Sequence, residues 1–313
     1  MRSLVTGVTG QLGYDVVKEL NSRGYNFIYA PTRREMDLTN VESIKSNMEC
    51  YKPDVVFHCA AYTAVDKAET DVATATTVNV DSTRAIAEEC KKLGAKLIYV
   101  STDYVFDGTK PLDEVYETTD KTNPKSVYGL TKLMGEKAAL SYNPKTFIAR
   151  TSWVFGINGN NFVKTMLNCF ERFPKLTVVA DQFGSPTYTV DLAKTLVDMA
   201  ETDKYGLYHV NNEGYCSWHE FADTIREKAG KDTEIKAVTT EEYYAPQYEK
   251  AEKEGRTLTV AYRPRNSKLS KKSLTSAGFN LLPDWNDALD RYLNELKEKE
   301  IKDKKDLGLK LKI

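Results

Sequence analysis

Two tyrosine–lysine pairs in this sequence are spaced so that both side chains of a pair could act on one reacting group. They are Tyr14 with Lys18 and Tyr128 with Lys132. Residues four apart lie on the same face of a helix. A phenol there can exchange a proton with a substrate oxygen, and a neighbouring ammonium group lowers the phenol's pKa by favouring the phenolate. Because the chain contains 19 tyrosines, this spacing also arises by chance, and only the surroundings separate the two pairs.

The surroundings favour Tyr128 and Lys132 as a catalytic pair. The apolar run that precedes them ends at Thr102, and the carboxyl ends of strands in a doubly wound sheet face the ligand crevice. Hydride transfer to a carbonyl leaves an alkoxide. We expect Thr102 to hold that oxygen, Tyr128 to protonate it, and Lys132 to lower the phenol's pKa and bind the nicotinamide ribose. Tyr14 falls within the first predicted helix, where we expect it to be a packing residue.

A glycine-rich loop, Thr6–Gly13, joins the first predicted strand to the first predicted helix. A dinucleotide pyrophosphate needs free backbone N–H groups, close approach without a Cβ atom, and the positive end of a helix dipole. The spacing is G-x-x-G-x-x-G, which departs from the usual G-x-G-x-x-G. Its position between strand and helix nevertheless predicts a cofactor loop. The cofactor-binding residues expected here are Gly7, Thr9, Gly10, Gln11, Leu12 and Gly13.

The end of the second predicted strand bears on the choice of cofactor. The sequence there is Ala30-Pro31-Thr32-Arg33-Arg34, with no acidic residue. An acid at this point would bind a free ribose 2′-hydroxyl, whereas an arginine accommodates a 2′-phosphate. Arg33 or Arg34 therefore favours NADPH, with NADH still possible. The alternative is that the two arginines are simply a solvated basic pair.

Alternating short apolar runs and helix-patterned stretches indicate the fold class. The predicted strands are Ser3–Thr6, Asn26–Ala30, Val55–Cys59, Lys96–Ser101 and Thr146–Ala149. The predicted helices between them are Gln11–Ser22, Asn40–Glu49, Val72–Leu93 and Val127–Ser141. This alternation is typical of an α/β fold with a Rossmann-type, doubly wound parallel sheet. Gly24 and Gly94 are placed to end helices, and Thr39 with Glu42 resembles a capping box.

The pattern changes after about residue 150, where glycines and a proline divide the chain into shorter pieces. We expect residues 1–150 to form the dinucleotide-binding domain. Residues 151–290 would form mainly a smaller substrate-binding lobe, with some chain returning to the sheet. The predicted helices of this lobe are Phe162–Phe173, Val190–Glu201 and Ser217–Ala229. Residues 291–313 are expected to form a charged C-terminal tail. Within it, Glu295–Lys312 is rich in Lys and Glu and predicts a solvated helix that frays.

Composition and charge argue against several other classes of protein. The net charge of −1 provides no general attraction for nucleic acid or an anionic membrane. No apolar run approaches the roughly 20 residues of a membrane span, and no targeting segment is apparent, which predicts a cytoplasmic protein. The cysteines and histidines lack the spacing of a disulfide framework or a zinc site. These residues are Cys50, Cys59, Cys90, Cys169, Cys216, His58, His209 and His219.

The loop, the Thr102 segment and the Tyr128/Lys132 pair together resemble the extended short-chain dehydrogenase/reductase superfamily. More narrowly, several segments resemble the dTDP-4-dehydrorhamnose reductase family. They are Cys59–Glu69, Ser101–Gly108, Tyr128–Lys132, Arg150–Val154 and Arg263–Ser267. The resemblance runs in order from residue 3 to about residue 290. It implies reduction by NAD(P)H of the C4 carbonyl of dTDP-4-dehydro-L-rhamnose.

The resemblance also implies a role for each matching residue. Gly10, Gln11 and Leu12 would contact the pyrophosphate, Asp37 and Leu38 the adenine, and Ala60, Ala61 and Tyr62 the rest of the cofactor. Thr102, Asp103 and Tyr104 would contact the sugar, with Tyr128 as proton donor and Trp153 as a wall of the sugar pocket. Asn161, Lys164 and Arg263 are candidates for the diphosphate, because cationic and amide donors suit phosphate oxygens.

Some members of the family hold Mg²⁺ between subunits with glutamates. Asp15 and Asp191 lie near the corresponding positions here, but Val190 occupies a ligand position. This argues against a metal-dependent dimer and leaves a monomer or another homodimer open. No other metal is expected.

Three other functions compete with this interpretation. Dehydratases of the superfamily resemble one another in a Thr-Asp-Glu run, whereas this chain has Tyr104 as the third residue, which argues against dehydration. Epimerases use the same Tyr/Lys pair but regenerate their cofactor. The regulatory subunit of methionine adenosyltransferase resembles these reductases and serves as a binding partner, although the intact set of Tyr128, Lys132 and Thr102 disfavours that role.

Overall fold

A computed structural model describes residues 1–310, with the side chains described through residue 303. The strands are β1 (Ser3–Thr6), β2 (Ile28–Tyr29), β3 (Val55–His58), β4 (Lys96–Thr102), β5 (Thr146–Thr151), β6 (Val154–Phe155), β7 (Lys175–Val179), β8 (Phe183–Gly184), β9 (Thr187–Tyr188), β10 (Gly206–His209), β11 (Cys216–Ser217) and β12 (Glu234–Val238). Six of these strands form one sheet in the order β10-β5-β4-β3-β1-β2, and every neighbouring pair is parallel. The predicted doubly wound parallel sheet is confirmed.

Helices cover both faces of this sheet. They are α1 (Gln11–Ser22), α2 (Val41–Tyr51), α3 (Val65–Ala68), α4 (Val72–Thr76), α5 (Ser82–Leu93), α6 (Val127–Tyr142), α7 (Phe162–Arg172), α8 (Thr189–Ala200), α9 (Trp218–Lys228), α10 (Thr240–Lys253), α11 (Lys272–Ser276) and α12 (Trp285–Lys310). A π-helical turn, Thr77–Asp81, joins α4 to α5, so the predicted helix Val72–Leu93 is one run with a wider turn inside it.

Each central strand sends alternate side chains into two separate cores. In β1, Leu4 packs into one core and Val5 into the other, and Val56 and Phe57 of β3 divide in the same way. All four side chains are fully buried. Because helices cover both faces, these strands are continuous apolar runs rather than an alternating pattern.

The start of α2 corrects one prediction. Asn40, not Thr39, caps this helix, and its side-chain oxygen accepts hydrogen bonds from the backbone N–H groups of Glu42 and Ser43. The Thr39 hydroxyl instead donates to the carboxylate of Asp37 at 2.8 Å. Both residue types serve as caps, and the nearby carboxylate acts as the stronger acceptor for Thr39. The predicted ends are confirmed at Gly24 and Gly94, whose φ angles are +77° and +68°.

The second half of the chain both completes the sheet and builds a separate core. Strand β10 pairs with β5 at the edge of the sheet. A third hydrophobic core forms among α7, α9 and α12, where Phe221 and Tyr292 are buried. The expected tail boundary at residue 291 falls inside α12, whose first turns carry Tyr292 and Leu293 into this core.

Candidate active site

A cleft of about 920 Å³ opens at the carboxyl ends of the sheet strands. The order of the sheet reverses direction at β1, which is the point where doubly wound folds bind ligands. Most of the predicted site residues line this one cleft. They are Gly7, Thr9, Gly10, Gln11, Leu12, Arg33, Asp37, Leu38, Ala60, Ala61, Tyr62, Thr102, Asp103, Tyr104, Tyr128, Lys132 and Trp153.

The glycine loop leaves no room for side chains where it meets β3 and α1. Gly7 has a φ of +71°, and a Cβ atom on it would lie 2.8 Å from the backbone nitrogen of Ala60. A Cβ atom on Gly13 would collide with the carbonyl group of Gly7. Gly13 therefore does not line the cleft and acts by allowing α1 to approach the loop. Gly10 immediately precedes α1, so the positive end of the helix dipole points into the cleft.

One end of the cleft is lined by Arg33, Asp37 and Leu38, the first of which is expected to bind the ribose phosphate and the other two the adenine. Both Arg33 and Arg34 are exposed, but only Arg33 is among the lining residues. Asp37 accepts hydrogen bonds from the backbone and hydroxyl of Thr39, and these hold the pKa of its carboxyl below the usual value. The cleft thus presents one cation beside one ionised carboxylate at this end.

The wall formed by Ala60, Ala61 and Tyr62 depends on a residue that sequence reasoning missed. Asn79 lies in the π-helical turn and is buried. Its side-chain oxygen accepts from the Tyr62 backbone N–H at 2.8 Å, and its amide donates to the Thr131 hydroxyl at 3.0 Å. Asn79 therefore connects the wall formed by Ala60–Tyr62 to α6, the helix that carries Tyr128 and Lys132. A π turn inside a helix is frequent at functional sites, but it leaves no sequence signature.

Thr102 ends β4 with its hydroxyl inside the cleft. That hydroxyl donates to the Asp103 carboxylate at 3.0 Å and accepts from the Tyr104 backbone N–H at 3.2 Å. Burial raises the pKa of Asp103 to about 6, although its hydrogen bonds oppose the shift. Thr102 and Asp103 therefore form a pair of polar groups at the base of the site.

Tyr128 lies in the first turn of α6, where the Ser126 side chain caps the helix by accepting from the Gly129 N–H at 3.1 Å. Its ring meets the edge of Tyr104 at 5.5 Å between centroids. Burial raises the pKa of Tyr128 to about 12, partly opposed by the Thr102 hydroxyl and reinforced by the charge of Asp103. The expected lowering of this pKa by Lys132 is wrong, because desolvation of the buried phenol dominates.

Lys132 is 2% exposed and lies beneath the cleft. Its ammonium group donates to the Val100 carbonyl at 2.7 Å and lies 4.1 Å from the centroid of the Tyr99 ring. Burial lowers the pKa of Lys132 to about 7, and the nearby Glu136 partly opposes this shift. The lysine is therefore near its titration point at neutral pH.

A buried ion pair supports β4 and α6, the strand and the helix that carry Thr102 and Tyr128. Arg150 at the end of β5 donates from Nε and Nη2 to the two carboxylate oxygens of Glu136 in α6, at 2.8 and 2.7 Å. Each side chain is 3% exposed. Ser101, beside Thr102 in β4, donates to the same carboxylate. The pair thus joins β4, β5 and α6. Arg150 belongs to a segment that carries the family resemblance, but its pairing with Glu136 was not predicted from the sequence.

Trp153 adopts a left-handed backbone conformation with a φ of +50°. For a non-glycine residue this costs on the order of 1–3 kcal/mol and persists only where the surroundings enforce it. Its indole stacks on that of Trp218 at 3.6 Å between centroids with an interplanar angle of 11°. Both indoles line the cleft. Trp218 was not predicted as a site residue.

A family model described as the RmlD substrate binding domain matches residues 1–298 of this chain. The chain belongs to this family. The family resemblance predicted from the sequence is therefore confirmed.

Individual relatives of the RmlD substrate binding domain family match nearly the whole chain. The spore coat polysaccharide biosynthesis protein SpsK of Bacillus subtilis strain 168 is 40% identical, covering 93% of this chain and 96% of that protein. The dTDP-4-dehydrorhamnose reductase of Aggregatibacter actinomycetemcomitans is 40% identical, covering 92% and 97%. The crystal structure of dTDP-4-dehydrorhamnose reductase from Bacillus anthracis strain Ames in complex with NADP is 38% identical, with a TM-score of 0.86, covering 94% and 99%.

Two candidates for the diphosphate do not line the cleft in this family member. The Asn161 amide donates to the Gly156 carbonyl at 2.8 Å and to the Tyr292 hydroxyl at 3.0 Å, and its oxygen caps α7. The Lys164 ammonium group donates to the carbonyls of Ile157 and Gly159, both at 2.8 Å. Both side chains hold the loop that precedes α7.

The third candidate, Arg263, lines a separate cavity beside α10. Its Nη2 group donates to both carboxylate oxygens of Asp66, at 2.9 and 2.8 Å. Its charge lies close enough to Tyr104 to oppose the burial that raises the pKa of that phenol. Arg263 therefore approaches the active cleft from behind Tyr104 rather than from within it.

The positions considered for Mg²⁺ have protein partners in this family member. Both oxygens of Asp191 accept from the guanidinium of Arg291, at 2.8 and 2.7 Å, and Asp15 is buried against the hydroxyl of Thr189. Val190 packs against the third core. In the described part of the chain, no cluster of three or more His, Cys, Asp or Glu side chains is arranged to hold a metal ion.

The second Tyr/Lys pair lies outside the cleft. Tyr14 is 44% exposed, so the expectation that it packs inside the protein is wrong. Lys18 forms an ion pair with Glu295 at 2.8 Å. All five cysteines are free, and no helix in the described residues is long and apolar enough to cross a membrane.

Proposed function

We propose that this chain reduces the C4 carbonyl of dTDP-4-dehydro-L-rhamnose to give dTDP-L-rhamnose, with NADPH as the preferred reductant. The observation that carries this proposal is the meeting of Thr102, Tyr128 and Lys132 in the cleft that also contains the glycine loop. The names of relatives at 36–40% identity support the same reaction.

The residues present fit a nicotinamide dinucleotide. The absence of a Cβ atom at Gly7 lets the loop lie against the backbone of Ala60, and α1 directs its positive end at the position of a pyrophosphate. When bound, the reduced nicotinamide supplies the hydride. Arg33 favours a cofactor with a 2′-phosphate, and the relative from Bacillus anthracis was solved with NADP.

The side chains of the site would complete the reduction by handling the proton. As hydride reaches C4, the carbonyl electron pair moves onto oxygen, and that oxygen takes the proton of the Tyr128 phenol. A pKa of about 12 keeps this phenol protonated at neutral pH, which suits a donor. The Thr102 hydroxyl, which donates to Asp103 in the structure, would rotate to donate to the same oxygen, and Lys132 would offer its N–H groups to the ribose hydroxyls of the cofactor.

A dehydratase or epimerase fits the site less well. Tyr104 stands where a dehydratase would carry a carboxylate, and burial raises the pKa of its phenol well above the usual range, so it is a poor base. An epimerase would leave the amount of reduced cofactor unchanged. Stoichiometric consumption of NADPH therefore separates a reductase from an epimerase and also from a non-catalytic regulatory subunit.

The test is NADPH oxidation by the purified chain with dTDP-4-dehydro-L-rhamnose, with the product identified by mass and by its sugar stereochemistry. Tyr128→Phe should lower kcat by about 10²–10⁴-fold while leaving the Kd of NADPH unchanged, because only the phenolic oxygen is removed. Tyr14→Phe is the matched control and should retain wild-type rates. Near-full activity in Tyr128→Phe would show that the proton donor is misassigned.

A further inference from the structure

Three aromatic side chains contact one another in succession, from the third core to the cleft. Phe162 contacts Trp218 at 4.6 Å between centroids, and Trp218 stacks on Trp153 at 3.6 Å. Of these three side chains, Trp153 and Trp218 line the cleft. These three side chains therefore connect the packed core to one wall of the site.

The position of Trp218 is determined by the start of its helix. Trp218 is the first residue of α9, and Ser217 and Glu220 form a complete capping box around it. The Ser217 N–H donates to the Glu220 carboxylate at 2.6 Å, and the Glu220 N–H donates to the Ser217 hydroxyl at 3.1 Å. An indole at this point has little freedom to move away from Trp153.

The Trp153 indole lies directly against Gly184, which has no side chain. A Cβ atom on Gly184 would lie 2.7 Å from Cε2 of the Trp153 indole. Trp153 also has the unusual φ of +50° described above. A residue held in a strained conformation at a ligand site indicates that its orientation matters for function. Trp218 is the aromatic side chain that stacks on Trp153 in this orientation.

We propose that Trp218 is a positioning residue for sugar recognition, holding Trp153 so that the two indoles form one apolar wall against the deoxysugar ring. This inference rests on the proposed function. A 6-deoxysugar presents a methyl group and a face of C–H bonds, which bind well to a flat aromatic surface and gain from its exclusion of water. A wall that is rigid before binding loses little entropy when the sugar arrives.

The first test compares ligands that differ only in the sugar. For Trp218→Ala, the Kd of dTDP-L-rhamnose should rise by about tenfold or more, as expected when an apolar contact in a binding pocket is lost. The Kd of dTDP alone, which lacks the sugar, and the KM of NADPH should both stay at wild-type values. The KM of dTDP-4-dehydro-L-rhamnose should rise with little change in kcat. Trp218→Phe, which retains an aromatic face, should recover most of the loss.

The matched control is Trp285→Ala. Trp285 is half-buried in the same third core and meets Phe221 edge-on at 5.6 Å, but it is not a lining residue of the cleft. Its removal should leave both Kd values unchanged. If Trp218→Ala fails to fold, Trp218→Leu retains apolar volume without the planar face and should show the same selective loss.

A spectroscopic measurement tests the stack itself. The chain contains only 3 tryptophans, and two indoles in contact produce an exciton couplet in the circular dichroism spectrum when their transition dipoles are not parallel. Trp218→Phe and Trp153→Phe should each abolish the couplet, whereas Trp285→Phe should leave it intact. A couplet that survives Trp218→Phe, or one that is lost in Trp285→Phe, would overturn the inference.

The outcomes separate this inference from the proposed function. If the wild-type chain reduces the dehydrosugar but Trp218→Ala binds dTDP-L-rhamnose as tightly as Trp285→Ala does, the role of Trp218 is wrong and the function stands. An equal loss of affinity for dTDP and dTDP-L-rhamnose also overturns the role, because the effect would not belong to the sugar. If the wild-type chain neither turns over nor binds either ligand, both proposals fail.

Discussion

The ammonium group of Lys132 donates a 2.7 Å hydrogen bond to the main-chain carbonyl of Val100, in the strand that ends at Thr102. This contact ties α6 to β4. It also places a cation where only 2% of the residue is exposed. The energetic consequence is that the charged form of Lys132 is disfavoured in the folded chain.

This burial predicts how stability depends on pH. Because the pKa of Lys132 falls from 10.5 to about 7 on folding, the unfolded chain binds more protons between these values. The stability of the wild-type chain should therefore rise with pH across this window, relative to Lys132→Met, which lacks the titrating group. Urea unfolding of both proteins near each end of the window measures this. A stability difference that does not change with pH would contradict the shifted pKa.

Removing one member of the buried Arg150–Glu136 pair should be strongly destabilising. Arg150→Met should cost about 3–5 kcal/mol, because it leaves the Glu136 carboxylate buried without its counterion. The double variant Arg150→Met/Glu136→Leu should recover most of that loss. The control is the exposed pair Lys175–Glu234, whose side chains are 58% and 64% exposed, and whose removal should cost about 0–1 kcal/mol. Urea titrations test all three, and a double variant no more stable than the single one would argue against this explanation.

The cofactor loop should not tolerate a methyl group at Gly7. In Gly7→Ala the new Cβ atom must displace the backbone at Ala60, so the Kd of NADPH should rise by at least about tenfold, or roughly 1.4 kcal/mol. Gly24→Ala is the control, because Gly24 has a similar φ of +77° but nothing within 4 Å of the added atom. Gly24→Ala should lose about 1–2 kcal/mol of stability because of backbone strain. Its Kd for NADPH should stay at the wild-type value. Equal cofactor affinities in the two variants would show that the contact with Ala60 is unimportant.

Arg33 should determine the preference for NADPH. In Arg33→Ala the KM of NADPH should rise by roughly tenfold with the loss of a charge-assisted contact to the 2′-phosphate, and the KM of NADH should not change. Arg34→Ala tests whether position matters, since Arg34 is not a lining residue of the cleft, and it should behave as wild type. Steady-state kinetics with each cofactor gives the ratio, and a parallel rise in both KM values would rule out recognition of the 2′-phosphate.

Local chemistry allowed much of the fold to be predicted from the sequence. Helix α1 begins and ends at the predicted residues, Gln11 and Ser22, because a glycine loop precedes it and a polar, glycine-containing segment follows it. The same reasoning failed at Thr39. Asn40, one residue later, is an equally suitable cap, and its side chain accepts the hydrogen bonds of the helix N–H groups. Such choices depend on small free-energy differences between neighbouring side chains.

The amino-acid sequence alone determined the strand–helix order, the glycine loop and the identity of Thr102, Tyr128 and Lys132, since each of these depends on nearby residues and on a regular period. Only the tertiary structure decided which distant side chains support them. Trp218 stacks on Trp153, and Glu136 pairs with Arg150, through contacts between separate elements of the fold. The tertiary structure also turned the Asn161 side chain away from the cleft. It raised the pKa of Tyr128 rather than lowering it, because burial is a property of the packed protein and not of sequence spacing.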